Sequence, residues 1–433
     1  MLYSYLSTNE SGHLTIAGYD TVALAEKYGT ALFVLNVDQL KENCRIYVDT
    51  LKECFGEKSM PLFASKSLSF TGIYTLMNRY GMGTDIVSCG ELYTAQKAGF
   101  PLEKAYFHGN NKTDADIQFA IESGIGYFIV DNEDELARLN EIAAANRTVQ
   151  KILLRIAPGI DPHTHKAIQT GSTDSKFGKA IATNQAYEIT KLALSLEHVN
   201  LCGFHCHIGS QIFESEPFCQ AAEIMLDFIK EVKNRYAYTT EILNLGGGFA
   251  VRYLENDPEI DIAQNIRKLA DTVKAKCREL NIPIPTILME PGRSIVANTT
   301  TTLYTVGSVK EIPGFRNFVS VDGGMSDNPR YALYQSPYTV INATKASDAA
   351  DYPCAVAGRC CESGDLIQEN VVLSKPVRGD IIAVLTTGAY NYSMASNYNR
   401  LPRPAILLIG KDCEQLAVKR ESFEDLCRLD LEI

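Results

Sequence analysis

Residues 61–70, PLFASKSLSF, form a short apolar run that stops at a lysine and continues with small polar residues. The segment 61–65 has the composition of a buried β-strand. A lysine at the end of a strand is ordinarily a solvated charge, so Lys66 alone says little about function. Its meaning depends on whether other strands also end at chemically active residues.

Seven further β-rich runs follow, separated by longer segments with helical periodicity. The eight predicted strands are 61–65, 83–87, 104–108, 126–130, 151–156, 200–206, 241–245 and 285–289, with helices such as 90–99 and 132–146 between them. This alternation is typical of a parallel α/β fold. Eight repeats favour a (β/α)8 barrel of the TIM type, and an open doubly wound sheet is the alternative.

The pattern changes after residue 295 to β-branched and aromatic runs between Gly and Pro turns. We expect a mostly antiparallel β domain there, joined by the apolar run 31–36 from the opening segment. The predicted organisation is therefore 1–38 as the first part of the β domain, 39–295 as the barrel and 296–433 as the rest of the β domain.

One connection, residues 157–175, is long and has no apolar periodicity. Loops of this length are usually functional or disordered. We interpret it as an active-site lid, with a plain surface loop as the alternative.

Composition excludes several classes of protein. A chain of 433 residues is too long for one simple core, and its formal charge of −11 without a Lys/Arg run argues against a nucleic-acid partner. There is no targeting segment and no run of about 18 apolar residues, so we expect a cytoplasmic protein without membrane contact. Twelve irregularly spaced cysteines indicate reduced thiols, and without CxxC or HExxH no metal site is indicated.

Polar residues gather where the predicted strands end, which is where a barrel of this type builds its active site. They are Lys66, Asp85, Ser88, His108, Arg155, His205, His207, Ser210, Gly246–Gly248, Glu290, Gly292 and Arg293. Each has an ordinary structural interpretation, such as a core histidine or an arginine paired with a carboxylate. Their coincidence at one end of the strands is the functional signal.

The last two strands end in a glycine triplet at 246–248 and in Glu-Pro-Gly-Arg at 290–293. Backbone N–H groups and a guanidinium at these positions suit a phosphate group, although three glycines also suit a tight turn. With Lys66 as an amine for an aldehyde and Glu290 as an acid for a ring nitrogen, the set predicts pyridoxal 5′-phosphate as cofactor.

A family resemblance is carried by motifs along nearly the whole chain. They are FASKSLS (63–69), GTDIVSCGELYTAQKAGF (83–100), FHGNNKT (107–113), RIAPGIDPHTHKAIQTG (155–171), KFGKA (176–180), FHCHIGSQI (204–212), LNLGGGF (243–249), EPGRSIVANT (290–299), CCESGD (360–365) and TGAYNYSMASNYNRLPRP (387–404). In this order they resemble the diaminopimelate decarboxylases, in the alanine-racemase-like fold type III group of pyridoxal-phosphate enzymes.

The resemblance implies roles around the cofactor. Lys66 would hold it covalently, His207 would stack on its ring and Glu290 would pair with the ring nitrogen. Arg155 and Asp85 would be supporting groups near it. The residues implied around the phosphate are Ser210, Gly247, Gly292, Arg293 and Tyr390.

The resemblance also implies how the substrate is held. The far end of diaminopimelate carries a carboxylate and an ammonium, which require arginine and an acid together. Glu362 would meet the ammonium, and Arg293, Arg330 and Tyr334 would hold the carboxylate. Tyr390 would also bind the substrate. Without the resemblance, Arg330 would be interpreted as a surface arginine after a proline turn.

The implied reaction is decarboxylation of meso-2,6-diaminopimelate at its D-configured centre, giving L-lysine and carbon dioxide. Cys361 or Lys66 would supply the proton. Family members are homodimers in which the CESGD segment reaches the partner's site, so Cys361 and Glu362 would act there. Cys360 beside Cys361 departs from the family pattern, and Cys361 is chosen because it directly precedes Glu-Ser-Gly.

Three other functions are considered. An amino-acid racemase on this scaffold would place an arginine by the ring nitrogen, which Glu290 contradicts. A decarboxylase of D-ornithine or D-lysine would not need Arg293, Arg330 and Glu362 together. A catalytically inactive cofactor-binding regulator would not need Lys66, Glu290 and Cys361 all intact.

Overall fold

The computed structural model describes residues 1–160 and 176–433. These residues form two compact units. The barrel unit consists of Asn43–Ala250 and Glu259–Ser294, and the sheet unit consists of Met1–Glu42, Val251–Pro258 and Ile295–Ile433. The predicted lid at 157–175 falls mainly on residues outside the described ranges.

The first elements along the chain are short. They are strands β1 (Leu6–Thr8), β2 (Leu14–Ile16) and β3 (Tyr19–Asp20), helix α1 (Thr21–Tyr28), strand β4 (Leu32–Asn36) and helix α2 (Val37–Phe55). Strands β1, β2 and β3 form a small antiparallel sheet. Asp20 caps α1, since its side chain accepts hydrogen bonds from Val22 N and Ala23 N.

Nine parallel strands build the barrel unit. They are β5 (Met60–Ala64), β6 (Gly83–Ile86), β7 (Ala105–Phe107), β8 (Tyr127–Val130), β9 (Gln150–Ala157), β10 (Lys179–Ala180), β11 (Val199–His205), β12 (Ile242–Asn244) and β13 (Thr286–Met289). Eight of them close into a ring through the β8–β9 and β13–β5 pairings, and β10 pairs only with β9. The predicted (β/α)8 barrel is confirmed, and the open sheet is excluded.

Helices connect these strands: α3 (Thr71–Arg79), α4 (Cys89–Lys97), α5 (Asp114–Glu122), α6 (Glu133–Ala145), α7 (Gln185–Ser195), α8 (Glu216–Tyr236), α9 (Ile262–Leu280) and the short α10 (Arg293–Val296). Several begin directly after a strand because a capping residue stands there. Ser88 accepts the Glu91 N–H at the start of α4, and Thr113 forms a capping box with Asp116 at α5. Ser88, one of the strand-end candidates, is thus a helix cap.

The barrel interior is a packed core. Leu62, Tyr106, Ile129, Leu153, Cys202, Ile242 and Leu288 form one buried cluster, with one side chain from each barrel strand except β6. Because this cluster fills the ring, a ligand can reach the barrel only at an end of the strands. The polar residues of the sequence stand at the C-terminal ends.

The sheet unit contains β14 (Thr300–Glu311), β15 (Asn317–Val321), β16 (Val340–Asn342), β17 (Tyr352–Ala357), β18 (Leu366–Leu373), β19 (Ile381–Val384), β20 (Ala405–Gly410) and β21 (Cys413–Val418), with helices α11 (Arg330–Tyr334) and α12 (Phe423–Cys427). Its main sheet has the order β18-β17-β15-β14-β4-β20-β21. Only the β15–β17 and β20–β4 pairings are parallel among the pairs described for this sheet. The prediction of a mostly antiparallel sheet is confirmed.

Candidate active site

Lys66 stands on a single helical turn, Ser65–Ser67, directly after β5. Its neighbours Ser65 and Ser67 are fully buried, whereas the lysine is exposed. Among the described residues, no hydrogen bond or ion pair engages its amine. The lysine therefore presents an unbonded amine at the C-terminal end of the barrel.

Two acids, the buried Asp85 and the half-buried Glu91, hold the turn that carries Lys66. Asp85 Oδ1 accepts the Ser65 N–H at 2.9 Å, and Glu91 Oε2 accepts the Ser65 hydroxyl at 3.0 Å. Glu91 also accepts Val87 N–H at 2.7 Å. Burial raises the pKa of Asp85, and the charge of Glu290 raises it further, while Lys66 opposes both. Asp85 thus positions the lysine through the backbone beside it.

Glu290 is the most densely bonded acid of the barrel end. It follows β13, and its Oε1 accepts Asn244 Nδ2 at 2.7 Å and lies 2.8 Å from His108 Nε2. Its Oε2 lies 3.0 Å from His205 Nε2. The His108 contact has ion-pair distance but poor hydrogen-bond alignment. These four side chains come from the ends of β7, β11, β12 and β13, so the closed barrel brings them together.

The protonation of this cluster follows from burial and charge. Burial alone would raise the pKa of Glu290, but His108 and His205 together lower it well below its usual range. Burial lowers the pKa of His108 to about 4 and also lowers that of His205, against the attraction of Glu290. At neutral pH the cluster is one carboxylate anion between two neutral imidazoles.

The glycine triplet is required by backbone packing. A Cβ on Gly247 would lie 1.9 Å from Glu290 O, and one on Gly246, whose φ is +67°, would lie 2.5 Å from Cys206 O. Two of the amides already have partners, since Gly246 N donates to Asn244 Oδ1 at 2.9 Å and Gly247 N donates to His207 Nδ1 at 3.3 Å. The triplet therefore forms a tight turn, and the hydrogen bond from Gly247 N orients the His207 ring.

Arg293 and Ser210 meet beside this turn. Arg293 is 7% exposed, and its Nε and Nη2 each lie 3.2 Å from Ser210 Oγ. Gly292 packs closely against β5, because a Cβ there would lie 2.8 Å from Ala64 Cβ. A buried guanidinium next to a hydroxyl is an anion-binding pair, and it stands at the end of the last barrel strand.

Arg155 lies on β9 between two acids. Its guanidinium stacks on the Phe177 ring at 4.3 Å, and the charges of Asp131 and Glu290 act on it. Burial lowers the pKa of Arg155, although these acids oppose the effect. Asp131 is held in turn by Gly178 N–H at 3.0 Å. These nearby carboxylates agree with the ordinary structural interpretation of Arg155 as an arginine that neutralises an acid.

In the sheet unit, Arg330 is buried, at 5% exposure. Its guanidinium carbon lies 4.2 Å from the centre of the Tyr253 ring and 5.2 Å from that of Tyr338. Its Nη1 is buried without a hydrogen-bond partner among the described residues. The interpretation of Arg330 as a surface arginine is therefore wrong. A buried guanidinium with an unused donor suits an anionic ligand.

The other predicted residues of the sheet unit differ in exposure. Tyr334 ends α11 and is half-buried, as is Tyr390, which lies close enough to Arg330 for an electrostatic interaction. Cys361 and Glu362 are exposed, and Cys361 N donates to Asn399 Oδ1 at 2.7 Å. Asp365 of the same segment accepts the N–H groups of Cys360 and Met325 at 2.7 and 2.6 Å.

Asn244 was missed at the sequence level, although it carries a detectable signal. It is a fully buried amide at the end of the apolar strand β12, two residues before the first glycine of the triplet. A polar residue at such a position needs a partner, and Glu290 and Gly246 supply it. Tyr253 gave no comparable signal, because its contact with Arg330 depends on the tertiary structure alone.

One cluster of the described residues has the composition of a metal site. His108, His205 and Glu290 offer ligand atoms that all lie within 4.8 Å of one another. Their contacts of 2.8 and 3.0 Å are hydrogen-bond or ion-pair distances, so the groups satisfy one another directly.

In the parts of the chain that the structure describes, no helix is both long and apolar enough to cross a membrane.

Comparisons with known proteins agree with this site. The family model described as pyridoxal-dependent decarboxylase, pyridoxal binding domain, matches residues 38–297. The diaminopimelate decarboxylase of Bacillus subtilis (strain 168) is 44% identical over 426 residues, covering 98% of this chain and 96% of the relative. That of Bacillus methanolicus is 45% identical over 413 residues, covering 95% of each.

The solved structures agree as well. The crystal structure of diaminopimelate decarboxylase from M. jannaschii in complex with L-lysine matches with a TM-score of 0.91 and 34% identity, covering 99% of this chain and 98% of the other. The matches extend over both units, and the identity exceeds what a shared fold alone requires. The chain belongs to the diaminopimelate decarboxylase family of pyridoxal-dependent decarboxylases.

Proposed function

We propose that this protein removes carbon dioxide from meso-2,6-diaminopimelate to give L-lysine, the last step of lysine biosynthesis, with pyridoxal 5′-phosphate as cofactor. The observation that carries the proposal is the set of groups at the barrel end: an unbonded amine at Lys66 and a clamped carboxylate anion at Glu290. The relatives named diaminopimelate decarboxylase support the choice of substrate.

The residues present fit this cofactor. Lys66 offers an amine to the aldehyde, Glu290 an anion to the ring nitrogen, and Arg293 with Ser210 a cation and a hydroxyl to the phosphate. When bound, pyridoxal phosphate supplies a conjugated ring that accepts the electron pair of the breaking C–C bond. Each required type of group is present.

The barrel residues take the following roles in the proposal. Lys66 would hold the aldehyde, His207 would lie against the ring, and Glu290 would keep the ring nitrogen protonated. Asp85 holds the turn of the lysine, and Arg155 keeps a positive charge near Glu290. The phosphate is bound by Ser210, Gly247, Gly292, Arg293 and Tyr390.

The substrate's distal end distinguishes diaminopimelate from lysine and ornithine. We assign its carboxylate to Arg293, Arg330, Tyr334 and Tyr390, and its ammonium to Glu362. The unused Nη1 donor of buried Arg330 supports this assignment, because a buried cation gains most from an anion that completes its hydrogen bonds. A proton must replace the lost carboxylate, and Cys361 or Lys66 delivers it.

We further propose a homodimer in which Cys361 and Glu362 act in the partner's site. Their exposure supports this assignment. In this proposal the barrel at 39–295 binds the cofactor, and residues 1–38 and 296–433 form the β domain. The cytoplasmic location is retained as well, and the free state of all twelve cysteines supports it.

The first experiment measures carbon dioxide and L-lysine released by the purified, cofactor-loaded protein. The substrates are meso-diaminopimelate, D-lysine, D-ornithine and L-ornithine. We expect release from diaminopimelate with a clear preference, and Lys66→Ala should abolish turnover and the visible absorbance of the lysine-bound cofactor. Release only from the monocarboxylates would overturn the substrate assignment, and release from none would favour an inactive cofactor-binding protein.

The shared site is tested by mixing variants. Lys66→Ala and Cys361→Ala chains are each expected to form nearly inactive dimers. If Cys361 acts across the interface, co-expression should restore about a quarter of wild-type activity, because about half of the dimers then contain one intact site. No restoration in verified hybrid dimers would place both residues in the same chain's site.

A further inference from the structure

Glu290 is held from opposite sides of the barrel. His205 is the last residue of β11, which lies two strands from β13, and His108 follows β7, which lies three strands away in the other direction. The two imidazole rings meet edge to face at 5.0 Å with an interplanar angle of 76°. The exposed fractions of His108, His205 and Glu290 are 6%, 1% and 8%. All three side chains are therefore largely shielded from bulk water.

The proton positions in this cluster follow from hydrogen-bond chemistry. Both histidines turn Nε2 toward a carboxylate that only accepts, so a neutral imidazole must carry its proton on Nε2. His205 Nδ1 is then an acceptor, and this buried atom has no hydrogen-bond partner among the described residues. His205 therefore donates its Nε2–H to Glu290, while its Nδ1 acceptor has no hydrogen bond within the described part of the chain.

The surroundings of Glu290 would otherwise favour its neutral form. Burial raises the pKa of Glu290, and a second buried acid, Asp85, shares the barrel end, where the charge of Glu290 raises the pKa of Asp85. The cations that act on the cluster are Arg155 and Lys66, and Cys206 faces it as a buried thiol. The side chains that contact the Glu290 carboxylate directly are the two imidazoles and Asn244.

We propose that His108 and His205 are positioning residues that keep Glu290 ionised and fix the plane of its carboxylate toward the cofactor's ring nitrogen. The inference rests on the proposed function and deepens it by naming residues that act through Glu290. Neither imidazole contacts the reacting atoms in this role. In this role His205 donates its Nε2–H to Glu290 Oε2 at 3.0 Å, and His108 Nε2 lies 2.8 Å from Oε1 with poorer hydrogen-bond alignment.

The test uses protein loaded with pyridoxal phosphate labelled with ¹⁵N in the ring, without substrate. The readout is the ¹⁵N chemical shift, which separates a protonated from an unprotonated ring nitrogen. We expect the protonated signal in the wild type at pH 8 and a shift toward the unprotonated signal in His108→Phe/His205→Phe. His108→Gln and His205→Gln, which keep a donor near the Nε2 position, should retain the wild-type signal.

Steady-state kinetics give the second readout. The Phe variants should lose about 10- to 100-fold in kcat per residue, with KM for diaminopimelate nearly unchanged, as expected for groups that orient a catalytic acid. A merely structural role would lower the melting temperature and the loaded fraction without moving the ¹⁵N signal of the loaded protein. If the double variant does not fold, the two single Phe variants carry the same test.

Two results would overturn the inference: an unprotonated ring nitrogen in the wild type, or Phe variants with the wild-type signal and kcat. Because the ¹⁵N measurement needs no substrate, it can contradict the inference while the decarboxylase assay succeeds. It can equally support the inference if diaminopimelate is not the substrate.

Discussion

The interpretation of Arg330 depends on its surroundings in the folded protein. In the sequence it follows a proline and looks like a surface cation, but it is buried between two tyrosine rings with an unused donor. The cost of burying a charge is tolerable where a ligand anion completes its hydrogen bonds. This is the physical basis for assigning it to the substrate.

Arg330→Leu should lower kcat/KM for diaminopimelate by about 10²–10⁴-fold, because the distal carboxylate would lose a buried, charged hydrogen-bond donor. Activity on D-lysine, which lacks that carboxylate, should change far less. Arg316→Leu is the matched control, since Arg316 in the same unit is half-exposed and paired with Glu369 at 2.8 Å. Equal losses on both substrates would indicate that Arg330 only supports the fold.

Gly247 offers a test of close packing at the barrel end. Gly247→Ala should destabilise the protein by about 1–3 kcal/mol, since the added Cβ would meet Glu290 O at 1.9 Å. Gly90→Ala in α4 is the control, because its Cβ would meet nothing closer than Ser88 Oγ at 3.6 Å. Urea unfolding measures the stability of both variants. A Gly247→Ala variant with wild-type stability would mean that the turn can shift to make room for the added Cβ.

At the scale of elements, one buried ion pair joins a loop, a strand and a helix. Lys112, in the loop between β7 and α5, donates to Glu135 Oε1 on α6 at 2.7 Å and to Ile129 O on β8 at 2.8 Å. Gly109 O accepts a third bond at 2.8 Å. All three ammonium donors are thus used, so we interpret this pair as structural.

Lys112→Met should cost about 3–5 kcal/mol of stability, because it leaves the Glu135 carboxylate buried and unpaired. Lys112→Met/Glu135→Leu should recover part of the loss by removing that charge as well. The comparison is Arg138→Ala, which breaks an exposed pair with Asp114 and should leave the urea midpoint nearly unchanged. A double variant less stable than the single one would contradict this account.

At the scale of the whole molecule, the buried histidines link stability to pH. The pKa of His108 is about 4 in the folded protein because of burial, against about 6.5 in an unfolded chain. Between these values the unfolded chain binds a proton that the folded chain does not. The contribution of neutral, buried His108 to the free energy of unfolding is therefore full above pH 6.5. That contribution is lost as the pH falls from 6.5 toward 4.

His108→Gln should reduce the loss of stability between pH 7.5 and pH 5 by about 2 kcal/mol relative to the wild type. Asn244→Ala is the control, because it removes a hydrogen bond to Glu290 without removing a titrating group. That variant should be less stable at every pH with an unchanged slope. Identical pH profiles for the wild type and His108→Gln would show that His108 titrates normally.

Much of the fold could be predicted from local patterns. The eight apolar runs became the eight barrel strands, with each end shifted by at most one residue. Ser88 and Thr113 are local signals of the same kind, since they cap the helices α4 and α5 that follow two of these strands. Strand periodicity and capping depend on near neighbours in the chain, and for that reason the positions of Lys66, His207 and Glu290 at strand ends could be recognised as well.

The environment of those residues could not be predicted in the same way. His205 and Glu290 are 85 positions apart, and only ring closure brings them together with His108 and Asn244. The use of the glycine amides, the anchoring of Lys66 by Asp85 and the burial of Arg330 likewise depend on distant segments. Charge state and hydrogen bonding are set by burial and by whichever groups the closed fold places within a few ångströms, and local sequence carries no record of those distances.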